Sequence, residues 1–176
     1  MTTALLIIDM QIALFSYENE PLYRDEQVLD NIRVLIEKAR RAGSPVIYVQ
    51  HCSLEDDEFR EGCETWPIHP RIAPLEDDTI VKKYSWDAFH GTPLQEYLQK
   101  LGVQNLVIAG GQTEFCLDTT CRRAYSMGYK NNILVQDAHT TLDSKLMTAP
   151  QIIAHHEHVL GGRFVKLQPA SEVAFS

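Results

Sequence analysis

The apolar positions of this 176-residue chain change period along its length, and each change marks an element. Ala4–Ile8 is an unbroken apolar run, the pattern of a strand covered on both faces in a parallel sheet. From Asp25 to Ala42 the period becomes helical. Val28, Ile32, Leu35, Ile36 and Ala39 recur at three- and four-residue spacing and gather on one side. Gly43 fits the left-handed residue that ends such a helix, and Pro45 blocks its continuation. Val46–Val49 predicts a second strand. The stretch from His51 to Asp78 is rich in acidic residues and holds three prolines and Gly62. A loop of that length inside a domain is usually functional or carries short helices of its own.

Strand and helix go on alternating. Thr79–Lys82 predicts a third strand. Thr92 and Pro93 read as N-cap and first residue of a helix that runs to Leu101 and stops at Gly102. Asn105–Ala109 predicts the fourth strand, Gly110-Gly111 a turn, and Thr113 the cap of a helix ending near Met127. Ile133–Gln136 is the fifth strand. Thr148, with Pro150 in the first turn, opens a helix to about Leu160, and Arg163–Lys166 is the sixth strand.

Six strands with helical crossovers, and no repeat, linker or break in composition, predict a single domain over residues 1–176. Its expected architecture is a three-layer, Rossmann-like α/β fold: a six-stranded parallel sheet with helices on both faces. The length suits one domain at roughly 150 residues each. In such sheets ligands lie beyond the carboxyl ends of the strands, where the strand order reverses.

Charge narrows the partners. The chain has 16 basic and 24 acidic residues, a net charge of −8, and no Lys/Arg block. That argues against nucleic acid and against an anionic membrane surface. Ala4–Ile8 is too short for a membrane span and lacks the basic lead of a signal peptide, so a cytoplasmic protein is expected. The four cysteines, Cys52, Cys63, Cys116 and Cys121, form no CxxC pair and read as free thiols of a reducing compartment.

The strand ends carry chemistry. Asp9, Met10 and Gln11 follow the first strand, Lys82 and Lys83 stand at the end of the third, and Gly110-Gly111-Gln112-Thr113-Glu114-Phe115-Cys116 follows the fourth. A carboxylate, an ammonium group and a thiol therefore share one sheet edge. Cys116 falls in the first turn of a predicted helix, where the helix dipole and a nearby lysine favour the thiolate. Asp9 could take the thiol proton, and the glycines allow a backbone that aims N–H groups at one point. Together these describe acyl transfer through a thioester. Taken singly, a cysteine is more often a small packing residue and such an aspartate a turn residue, so position alone leaves both readings open.

Three segments carry a resemblance. Leu5-Leu6-Ile7-Ile8-Asp9-Met10-Gln11, then Lys83 with Asp87-Ala88-Phe89-His90-Gly91-Thr92, then Ala109 through Cys116 resemble the isochorismatase-like cysteine hydrolases. That superfamily includes isochorismatase, nicotinamidase and N-carbamoylsarcosine amidase, and the likeness covers nearly the whole chain in order. It implies a triad of Asp9, Lys83 and Cys116. Lys83 is favoured over Lys82 because the family's lysine stands six residues before the Phe matched by Phe89. It also implies a non-proline cis peptide at Gly111–Gln112 and an oxyanion site made by the N–H groups of Gln112 and Cys116. The implied activity is hydrolysis of a carbon–nitrogen bond in a small non-peptide amide. A vinyl-ether hydrolase of the isochorismatase type, or a silent binding protein, is the alternative. A homo-oligomer, dimer or tetramer, is implied too.

No cofactor is expected. Metal-binding relatives use an Asp-x-His pattern in the loop after strand two. Here His51 and His69 are present but Val49 stands where the aspartate would be, so no metal is expected. An aromatic-walled pocket from Phe15, Tyr84, Trp86 and Phe89, with Gln11 and Thr113 as polar contacts, would suit a small amide, although each is equally an ordinary core residue. His155, His156 and His158 read as surface histidines, Asp137–Thr141 as a structural turn, Cys121 as packing, and Cys52 and Cys63 as exposed loop thiols.

Overall fold

The computed structural model describes residues 2–17 and 20–176. Its strands are β1 (Thr2–Ile8), β2 (Val46–His51), β3 (Thr79–Lys83), β4 (Val103–Gly111), β5 (Ile133–Thr140) and β6 (Lys166–Gln168). They form one sheet in the order β3-β2-β1-β4-β5-β6, and every neighbouring pair is parallel. The chain winds outward from β1 to β3, then returns to the centre and winds the other way from β4 to β6. The order therefore reverses between β1 and β4, and a crevice opens beyond their carboxyl ends.

Burial on both faces explains the apolar runs. In β1, Ala4, Leu6 and Ile8 enter one core layer, while Leu5 and Ile7 enter the other. The first layer is covered by α2 (Leu94–Lys100), α3 (Asp118–Ser126) and α4 (Ala149–Leu160), through Leu94, Leu98, Cys121 and Leu160. The second is covered by α1 (Asp25–Arg41), whose Val28, Leu29, Ile32, Leu35, Ile36 and Ala39 are buried. The stripe foreseen for this helix is the face that packs, each large side chain contributing about 1.5–3 kcal/mol by burial.

Several boundaries differ from expectation for local reasons. Gly110-Gly111 is the end of β4 and not a turn. Gly110 pairs with Ile8 at a φ of +120°, and a Cβ there would sit 2.2 Å from the Ile8 carbonyl oxygen. β5 runs on to Thr140, because after a register irregularity His139 and Thr140 pair with Gly110 and Gly111. β6 starts at Lys166, since Gly161-Gly162 lets the chain fold back and the Phe164 N–H bonds to the Leu160 carbonyl at 2.9 Å. Thr113 caps no helix; it opens a π-helical turn, Thr113–Leu117, in which the Gln112 carbonyl accepts from the Phe115 and Leu117 amides. At α4 the Gln151 side chain accepts the Thr148 N–H at 2.9 Å. Cys52 is buried rather than exposed, and all four cysteines are free. Among the described residues no helix is long and apolar enough to cross a membrane.

Candidate active site

Four strand ends build the site, His51 closing β2. Asp9 follows β1 in a left-handed conformation (φ 51°), which aspartate tolerates better than most residues. Its N–H bonds to the Val49 carbonyl and its carbonyl accepts from Gln11, which ends the strand sharply. Lys83 ends β3, where side chains alternate: Val81 and Lys83 turn inward, Ile80 and Lys82 outward. Lys82 pairs with Glu61 and lies over the Trp66 ring. Cys116 hangs from the π-helical turn after β4, and the Gly111–Gln112 peptide that enters this turn is cis.

Lys83 has no exposed surface, and its ammonium meets three acceptors. Nζ lies 2.7 Å from Asp9 Oδ2, 3.0 Å from His51 Nδ1 and 3.2 Å from Cys116 Sγ. An ammonium has three N–H donors, so this set uses all of them. Donation to Nδ1 fits a neutral His51 with its proton on Nε2. Burial first, and the neighbouring Lys83 charge second, hold the His51 pKa below its ordinary value. Burial works against the Lys83 charge, but Asp9 and the Cys116 sulfur outweigh it and its pKa rises.

The thiol is affected in the opposite sense to expectation. Burial first, then the Asp9 carboxylate, push the Cys116 pKa up to about 12, against the pull of Lys83. The expected thiolate, favoured by a helix dipole, is not the resting form; a π-helical turn stands where an α-helix was foreseen. The resting site is a thiol beside a carboxylate–ammonium pair.

Asp9, His51 and Cys116 also place one ligand atom each within 4.8 Å of one another, close enough to hold a metal ion. The same three side chains already bond the Lys83 ammonium. A metal ion among them would face a fixed cation at hydrogen-bond range, which opposes its entry. His69 is elsewhere: its ring accepts the Arg71 amide at the head of a short 3-10 turn and packs on Phe15.

The cluster opens into a pocket of about 140 Å³. Asp9, His51, Gly111, Gln112 and Cys116 form its polar side; Leu14, Phe59, Trp86 and Phe115 form its apolar side. Of the six expected substrate contacts only Trp86 stands on this wall. Gln11 is wholly buried and braces the loop, donating to the His51 and Trp66 carbonyls and accepting the His51 amide. Phe15 packs on His69, one step round the 3-10 turn from Leu14, about 120° away. Tyr84 lies exposed off the wall, and Phe89 is buried in the core against Tyr129. Thr113 is buried and bonds His139 Nδ1 at 2.9 Å, while His139 Nε2 faces Glu157 at 3.4 Å. That pair borders a separate cavity of about 380 Å³ at α1 and α4, away from the thiol.

Sequence reasoning passed over Leu14, Phe59 and Phe115 and weighed His51 only as a metal ligand. One signal was available for Phe59: it is the sole aromatic in the acidic segment from Glu55 to Glu64.

A doubly wound sheet with a buried carboxylate, ammonium and thiol at its switch point defines the class: an α/β protein with a nucleophile-bearing cleft. Residues 3–150 match the Isochorismatase domain model, and the chain belongs to the isochorismatase family of hydrolases. It is 32% identical over 157 residues to the uncharacterized isochorismatase family protein YddQ of Bacillus subtilis, covering 86% of this chain and 87% of that one. It is 31% identical over 160 residues to nicotinamidase 3 of Arabidopsis thaliana, covering 83% and 77%. The match to a streptothricin hydrolase of Streptomyces noursei is 32% over 149 residues, 85% of this chain but only 52% of the relative, so the chain spans about half that protein's length. Among solved structures, a putative isochorismatase hydrolase from Oleispira antarctica superposes with a TM-score of 0.91 at 32% identity, covering 97% and 95%.

Proposed function

We propose that this hydrolase cleaves the carbon–nitrogen bond of a small non-peptide amide through a thioester on Cys116. The observation that carries the reading is the Lys83 ammonium bound at once to the Asp9 carboxylate and the Cys116 sulfur at the floor of an open pocket. Because the thiol is protonated at rest, deprotonation accompanies attack. Asp9 accepts the proton as sulfur bonds to the carbonyl carbon. The N–H groups of Gln112 and Cys116 are the proposed donors to the oxyanion, and Lys83 balances the charge on Asp9 and sulfur. The tetrahedral centre collapses, the C–N bond breaks, and the Asp9 proton leaves with ammonia or an amine. Water, its proton taken by Asp9, then adds to the thioester. The C–S bond breaks, a carboxylic acid departs, and the proton returns to sulfur.

The similarity to a nicotinamidase supports amide chemistry. Four free thiols support a reducing, cytoplasmic setting. Trp86 and Phe115, 61% and 47% exposed at the pocket mouth, support a homo-oligomer that covers them. The test is ammonia release from a panel of small amides beside the Cys116→Ala protein. Release that vanishes in the variant while the melting temperature holds is the expected result; wild-type release without the thiol would refute the mechanism.

A further inference from the structure

We infer that the pocket selects small, flat, uncharged acyl groups and excludes carboxylates; this rests on the amide-hydrolase reading above and narrows it to a substrate class. The pocket's charges are already balanced. Asp9 is the one acidic side chain on its wall among the described residues. Its counter-ion, Lys83, has spent all three donors on Asp9, His51 and Cys116. Among the described residues no arginine or lysine lines the pocket, and His51 accepts from the Lys83 ammonium rather than offering a charge. A substrate carboxylate would lose its water and find no partner.

What the pocket offers instead is shape and one acceptor. Leu14, Phe59, Trp86 and Phe115 present apolar and mostly flat surfaces. A space of about 140 Å³ compares with the roughly 150 Å³ apolar cavity that takes up benzene, so it holds one six-membered ring or a branched chain of similar bulk. The Asp9 carboxylate stands on this wall beside the Cys116 sulfur, an acceptor that suits the N–H of a carboxamide and repels a second carboxylate. The segment that brings in Phe59, Glu55 to Glu64, carries six carboxylates and one guanidinium. Its field repels anions before they reach the thiol.

The test uses two isosteric amides, 4-methylpentanamide and succinamate, in which an isopropyl group stands for a carboxylate. For the uncharged amide, kcat/KM for ammonia release should be at least about 100-fold higher, since unpaired like charge costs several kcal/mol. Added salt should raise the succinamate rate as the acidic segment is screened. Phe115→Arg, which places a cation at the mouth, should narrow the preference at least tenfold. Succinamate turned over within tenfold of its isostere would overturn the inference. Phenyl esters of the same two acyl groups, with Cys116 acylation read by intact mass, separate the two ideas. A charge preference in the esters with neither amide cleaved would uphold the pocket and sink the amide reading. No acylation of Cys116 by either ester would sink both.

Discussion

Replacing Lys83 by methionine isolates the electrostatics of the cluster. The substitution keeps an unbranched side chain of similar length and removes the charge. Asp9 then stays buried, its side chain 3% exposed, without the cation that sits 2.7 Å away in the native protein. Removing one partner of such a pair costs about 3–5 kcal/mol, because the remaining charge is stranded. For a domain of this size that is a fall in melting temperature of roughly 6–20 °C. The decisive variant is the double one, Asp9→Asn with Lys83→Met. Asparagine accepts the left-handed φ of position 9, and no stranded charge remains. About 2–4 kcal/mol should return relative to Lys83→Met alone, read as a coupling energy in urea unfolding of the four proteins of the cycle. Losses that simply add, with no recovery in the double variant, would refute the claim that the ammonium's structural role is to neutralise Asp9.

Two further outcomes are expected. Iodoacetamide near pH 7 should label Cys63, whose thiol is held below its ordinary value mainly by the Thr65 hydroxyl, ahead of Cys116. Cys116 labelling should rise about tenfold per pH unit toward its pKa of about 12; peptide mass spectrometry between pH 7 and 10 checks this, and a Cys116 rate that levels off below pH 9 would contradict it. Gly110→Ala should cost more than about 4 kcal/mol or prevent folding, because its Cβ would lie 2.2 Å from the Ile8 carbonyl oxygen; a soluble variant with a native urea midpoint would show that β1 and β4 can separate.

The parts of the fold legible in the sequence were those set by short-range pattern. The unbroken run of β1, the stripe of α1 and the start of α4 at Thr148, with Pro150 in its first turn, each follow from local pattern. The strand-end chemistry was legible in part for the same reason: parallel strands bring their carboxyl ends, and so Asp9, Lys83 and Cys116, to one edge, and the resemblance joined the three into a triad. The choice of Lys83 over Lys82 came from the resemblance and not from the strand pattern, since Ile80 and Val81, apolar on both faces, conceal the phase of β3. The pocket wall was mostly illegible because it depends on rotation and not on order. Leu14 and Phe15 are adjacent in sequence, yet a 3-10 turn sends one to the pocket and the other to His69. Phe89 lies beside the site in the chain but points into the layer under α2 and α3.

The raised thiol pKa changes how the site is to be understood. A pre-formed thiolate would attract electrophiles and oxidants at all times, since both reactions follow thiolate character and access. Here burial keeps the proton on sulfur, while the carboxylate that also raises the thiol is the group placed to accept that proton. Asp9 thus opposes ionisation of the free thiol and, in the proposed reaction, becomes its base once a carbonyl carbon takes up the sulfur's electron pair. Lys83 is what lets one carboxylate do both: buried and bonded to Asp9, His51 and sulfur together, it balances the negative charge whether that charge rests on oxygen or moves to sulfur. Discrimination then rests with whatever carbonyl compound the apolar wall admits, and the nucleophile stays quiet until one arrives.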